Sequence, residues 1–210
     1  MNLTKYSALI LLIAATLTAC ATQKNATRFY TLANSKASQT ANAATTTPFA
    51  IEVLRVNVPE RLKRPQLVIS TNNSQLKILE QDRWSSSFDD ELQDAFVSGI
   101  SQQLNAIDIS SGGRIANQPI YRIAIVLQQF NATPGEQVEA NFGWTITLLN
   151  SGKTLAENRS LSCQATINKT VGNETGAVVN GVQAAVADVI QAISANVSSL
   201  NNGEQAKCSN

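Results

Sequence analysis

Ile120-Tyr121-Arg122-Ile123-Ala124-Ile125-Val126-Leu127-Gln128-Gln129-Phe130 carries Tyr121, Ile123, Ile125 and Leu127 on one side. A period of two marks a strand with one buried face. The same pattern returns after Pro134-Gly135, where Ala140, Phe142, Trp144, Ile146 and Leu148 alternate with Asn141, Gly143, Thr145 and Thr147. After Asn150-Ser151-Gly152 it returns again, with Leu155, Leu161, Cys163, Ala165 and Ile167 on one face. Three long strands with short connections predict an antiparallel meander.

Two helices flank this meander. Phe88, Leu92, Phe96, Ile100 and Leu104 recur every four residues, which predicts an amphipathic helix lying on the sheet. Ser87 with Asp90 three residues on suits its N-cap. Asp89, Asp90, Glu91 and Asp94 read as acidic residues of the first turn that favour the helix dipole and face water. From Glu174 to Val197, the stripe of Val178, Val182, Ala185, Val189, Ile193 and Val197 predicts a second helix on the same sheet.

Upstream, Phe49 to Val58 reads as a strand with Ile51 and Val53 inward, then a slip that brings in Val56 and Val58, then a stop at Pro59. Leu67–Ile69 and Gln75–Glu80 form a hairpin candidate, and Ile107 with Ile109 a brief strand. Trp84 is expected to bury its ring where helix meets sheet. Pro59 and Pro65 bound a loop on which Leu62 plugs the core edge and Arg61, Lys63 and Arg64 form an exposed basic cluster. That cluster is the one surface candidate for contact with a partner. The fold class expected is α+β: an antiparallel β-sheet with two amphipathic helices packed on it.

Before this domain the chain changes character. Lys5, the apolar run Ala8–Ala15 and then Leu17-Thr18-Ala19-Cys20 read as a secretory signal, too short at about 1.5 Å per helical residue to span a bilayer core of about 30 Å. Leu17–Cys20 resembles the lipobox of bacterial lipoproteins, which implies cleavage before Cys20 and acylation of its thiol. Ala21 is not the aspartate that commonly retains lipoproteins at the inner membrane, so an outer-membrane site facing the periplasm is expected. The divisions are therefore a signal peptide at 1–19, then a lipidated tether with a short strand (Arg28–Leu32) and a flexible linker at 20–48. A single periplasmic domain follows at 49–200, and a polar tail at 201–210.

Composition narrows function. Residues 20–210 carry equal numbers of Lys+Arg and Asp+Glu, which argues against nucleic acid. The chain has no histidine, so Ser-His and Cys-His nucleophile pairs and the commonest metal ligand are missing. No phosphate loop, nucleophile elbow or metal-spaced cluster occurs either, and no enzyme, cofactor or metal is expected beyond covalent lipid on Cys20. With Cys20 lipidated, Cys163 and Cys208 remain as an even pair in an oxidising compartment and are the disulfide candidate.

One ordered set of pieces is more specific. The lipobox, Phe29-Tyr30-Thr31-Leu32, Val56–Leu62, Arg64–Val68, Glu80 and Trp84 with its following helix resemble the PqiC-like lipoproteins, auxiliary components of ABC-type and MCE-type transport systems. The resemblance implies a non-catalytic subunit of an intermembrane lipid-transport system that maintains envelope integrity. Its implied partners are an MCE-domain protein and inner-membrane transport components, and a homo-oligomeric ring is also allowed. Two rival readings stay open at this point: a structural or regulatory lipoprotein acting on a cell-wall synthase, and a carrier with a lipid cavity between helix and sheet.

Overall fold

The structure is a computed structural model that describes residues 26–33, 49–72, 74–113, 118–149, 160–204 and 206–208. Cys20, the signal and tether, the linker from 34 onward, Leu155 and the turn at 150–152 lie outside the described residues. In chain order the elements are β1 (Arg28–Tyr30), β2 (Ala50–Val53), β3 (Gln66–Asn72), β4 (Gln75–Trp84), α1 (Phe88–Leu104), β5 (Ile107–Asp108), β6 (Ile120–Thr133), β7 (Gln137–Leu149), β8 (Ser160–Thr170) and α2 (Thr175–Asn201). A short 3₁₀ turn, Glu60–Leu62, lies between β2 and β3.

The α+β class expected from the sequence is the one observed. The meander β6-β7-β8 is antiparallel throughout, from Ile120 opposite Leu149 to Gln137 opposite Thr170. Gly135 at φ 78° makes its first turn, a backbone setting that disfavours any residue with a Cβ. Both helices serve this sheet from one side. Phe96 of α1 meets Phe142 edge-on with ring centroids 5.7 Å apart, and the indole N–H of Trp144 donates to Asn196 Oδ1 of α2 at 3.0 Å. The other face is a polar lattice that includes Arg122–Glu52 at 2.8 Å and Thr145–Ser162 at 2.9 Å. A half-solvated antiparallel sheet needs that alternation.

Two departures from a single meander have local causes. The strands divide into a five-stranded sheet, ordered β5-β2-β6-β7-β8, and a three-stranded one, ordered β1-β4-β3. Pairings β2–β5, β2–β6 and β1–β4 are parallel. Parallel neighbours require a crossover, and α1 supplies it by returning the chain across the sheet between β2 and β5.

The slip after Val53 is an inserted residue. Leu54 N–H donates to Ile123 O, and the next link down the ladder is Asn57 N–H to Ile125 O, one residue later than a regular parallel pairing gives. Arg55 is thereby pushed outward, while Ile51, Val53, Val56 and Val58 all stay buried. A register shift between Leu127 and Gln129 acts likewise in β6, which is why Leu127 and Phe130 are both inside.

Every residue of the two predicted helical stripes is buried, and Leu92, Phe96, Ile100, Val189, Ile193 and Val197 have no exposure at all. By length and composition α2 could cross a bilayer, but here its apolar stripe is spent on the sheet. Gly181 lets α2 come close, because a Cβ there would collide with Val171. Trp84 is the last residue of β4 and stacks on Phe88 at 5.2 Å, which in turn touches Phe130 at 5.3 Å. Thus the small sheet closes over the start of α1.

Candidate functional site

The amino-terminal segment is the part of the domain nearest in sequence to Cys20, and buried charge fixes it in place. Arg28 makes two hydrogen bonds to Asp82 of β4, Nε to Oδ1 at 2.6 Å and an Nη to Oδ2 at 2.9 Å. Tyr30 O–H donates to the same carboxylate at 3.2 Å. Asp82 is buried on the core side of β4. Desolvation, the Asp82 charge and the hydrogen bond to it together raise the Tyr30 pKa.

Just beyond β1, Glu91 collects five donors. Its Oε2 accepts from Thr31 Oγ1 at 2.9 Å and from Leu32 N–H at 2.8 Å, and its Oε1 from Ser85 Oγ at 2.5 Å, Ser86 N–H at 3.2 Å and Ser86 Oγ at 3.0 Å. Burial pushes this carboxyl's pKa up, but the hydrogen bonds from Ser85, Leu32, Thr31 and Ser86 outweigh it and hold the pKa below the ordinary value. Gln183 of α2 adds a bond to Thr31 O at 2.8 Å. Residues 28–32 are thus fastened to β4, α1 and α2 at once.

This corrects the reading of the acidic first turn as water-facing. Glu91 is only 4 % exposed. Asp89 pairs with Arg55 at 2.8 Å, and Asp90 pairs with the same guanidinium. Burial raises the Asp89 pKa, but Ser87 and Arg55 outweigh it and leave the group more acidic than usual. Asp94 is exposed as expected. Ser87 does hold the N-cap position, but its hydroxyl donates to the Asp89 and Asp90 carboxylates at 2.6 Å instead of accepting a backbone N–H.

Cys163 and Cys208 are bonded to each other, with Cα atoms 5.4 Å apart. The bond lays the tail along β8, and Lys207 O accepts from Asn196 Nδ2 at 2.9 Å. Asn196, buried in α2, therefore bridges the Trp144 indole and the tail. Its role was not legible as part of any motif.

The basic cluster does not act as one patch. Arg61 borders an open polar concavity of about 480 Å³ between the β3–β4 tip and the β6–β7 end, shared with Ser70, Asn72, Asn131, Thr133 and Glu139. Lys63 pairs with Glu60 at 2.9 Å, and Arg64 is half-buried, with its carbonyl accepting Phe88 N–H at 3.2 Å. The apolar crevice beneath Leu67, Trp84, Phe88 and Val182 encloses about 10 Å³. That is room for about one water and none for an acyl chain, so this conformation offers no lipid cavity there. Among the described residues no three Cys, Asp or Glu side chains gather as a metal site.

These features define a class: a two-sheet α+β domain whose first strand, eight residues after a candidate lipidation site, is locked onto the core. Two solved structures share the fold. One is the crystal structure of an uncharacterized protein, with TM-score 0.61 and 16% identity, covering 82% of this chain and 99% of the other. The other is XCC0632 from Xanthomonas campestris, with TM-score 0.57 and 16% identity, covering 84% of this chain and 99% of that one. At such identity the likeness speaks for fold alone. A comparison with curated proteins gives no match. The chain belongs to the family described as the ABC-type transport auxiliary lipoprotein component, which matches residues 30–194, from the end of β1 into the last turns of α2.

Proposed function

We propose that the protein is held in the outer membrane by acyl chains on Cys20, faces the periplasm, and serves as a non-catalytic subunit of an MCE/ABC-type system that moves lipid between the two membranes. The observation that carries this reading is membership of a family of transport auxiliary lipoproteins over nearly the whole folded domain. Two or more acyl chains make a lasting anchor where one does not, so lipidation of Cys20 would hold the domain at the membrane. The partners are an MCE-domain protein and, through it, the inner-membrane transport components. Arg61 and the polar concavity beside it are the surface offered to them, and a ring of copies is compatible with this role.

Capture of the full-length protein from solubilised membranes, with Cys20→Ala as control, tests the reading. The expected result is co-purification of an MCE-domain protein and a permease with the wild type, and loss of the Cys20→Ala variant from the membrane fraction. Capture of a cell-wall synthase in their place would move the protein to the structural or regulatory alternative. Turnover of an envelope lipid by the purified protein would overturn the non-catalytic role.

A further inference from the structure

We infer that the outer side of β1, centred on Phe29, is a second contact with the phospholipid surface, made by the folded domain itself. The inference rests on acylation of Cys20 as proposed above. Phe29 is 66% exposed, more than any other large apolar side chain among the described residues; Leu76 follows at 49%. It does not project from a loose end. Arg28 and Tyr30 are turned to Asp82, and Ser85 N–H donates to Tyr30 O at 2.7 Å. Alternation along β1 therefore sends Phe29 to the opposite side, next to its register partner Arg83. The fold uses two buried carboxylates to fix a strand whose central side chain is an aromatic ring in solvent.

Two further observations select a lipid surface as the occupant. The first is reach. Phe29 is nine residue steps from Cys20, and at about 3.5 Å per step these span no more than about 32 Å, so acylation keeps the headgroups within this ring's reach. The second is composition. Arg83, the register partner of Phe29, is 37% exposed on the same side, with Glu80 as its acidic neighbour at 3.9 Å. An aromatic ring next to a guanidinium is what the headgroup layer accommodates, the ring at the acyl boundary and the cation among phosphates.

A protein partner fits the same place less well. A stable interface needs about 800 Å² per partner, whereas one phenylalanine supplies roughly 150–250 Å². Burying one ring favours the bound state roughly ten- to hundredfold, too weak to hold a free domain but enough once a covalent anchor makes the contact intramolecular.

The test is depth-dependent fluorescence quenching of the full-length lipidated protein in phosphatidylethanolamine/phosphatidylglycerol vesicles, some carrying brominated acyl chains. Phe29→Trp places the probe, Ile107→Trp on β5 is the exposed control, and the wild type gives the background from Trp84 and Trp144. The expected result is a blue shift and loss of most residue-29 emission with brominated lipid, with little change at residue 107. Protein that floats with the vesicles while residue 29 stays open to iodide and unquenched by bromine overturns the contact and leaves the acyl anchor standing. Equal shielding of residue 29 from iodide with and without vesicles also overturns it, because another part of the protein or a second copy then covers the ring. Protein that fails to float overturns the anchor and this contact with it.

Discussion

Val189, Ile193 and Val197 meet the large sheet with no solvent exposure, whereas β1 joins the small sheet and both helices through Asp82, Glu91 and Gln183. The first region is held by apolar area, which tolerates imprecise geometry and depends little on pH. The second is held by a few directed bonds to buried carboxylates, which lose their value when one partner or one charge is removed. The protein thus has a robust platform and a conditional clasp, and the clasp lies where the chain leaves for Cys20.

Substitutions can pull the two regions apart. Phe96→Ala removes a fully buried ring from the platform and is expected to lower global stability by about 3–5 kcal/mol in urea unfolding. Cys208→Ser opens a bond between residues 45 apart in sequence and is expected to cost about 2–4 kcal/mol, read as a lower urea midpoint under non-reducing conditions.

Glu91→Ala leaves five donors without their acceptor, at about 1–3 kcal/mol. Its signature is local: hydrogen exchange at Leu32 and Ser86 should accelerate well before the amides of β7. If β7 exchanges in step with Leu32, clasp and platform are one cooperative unit and the distinction fails.

Acid makes the same cut. Glu91 titrates below its ordinary value of 4.5 when folded, so its stabilising effect is fully present above that pH and is lost as pH falls through the depressed value. Glu91→Gln should flatten that acid limb in a pH series of thermal melts. Lys63→Ala sits at the other extreme, removing an exposed pair worth about 0–0.5 kcal/mol, so any loss of partner capture from it would report contact and not folding.

The platform was the legible part. Apolar residues every second position in β6 and β7, and every fourth in α1 and α2, are consequences of how strands and helices present side chains, and each buried residue in those series can be named from spacing alone. The cysteine count was equally informative, since setting Cys20 aside as the expected lipidation site leaves one pair, Cys163 and Cys208, and these are bonded. The clasp was hidden because its partners lie far apart in sequence: Glu91 meets Leu32 across 59 residues, and no local period records such a bond.

One signal was available. Glu91 stands three residues after Phe88 and four before Ala95, on the flank of the buried stripe, where a carboxylate needs donors. Parallel pairing of β2 was hidden for a related reason, because a short strand read beside hairpins gives no sign that a helix will bring the chain back alongside it. Arg61, Lys63 and Arg64 were adjacent on paper yet face different neighbours, because the 3₁₀ turn and Pro65 rotate each one differently.

The reach of β1 across the molecule also bears on assembly order. A polypeptide threaded through a membrane pore amino end first delivers Arg28 to Leu32 long before Asp82, Glu91 and Gln183 have emerged to receive them. Under the export and acylation proposed above, the stretch beside Cys20 would therefore stay undocked while maturation enzymes have access to the thiol. Its last bond, from Gln183 to Thr31 O, would form only once α2, the last element of the domain, had followed.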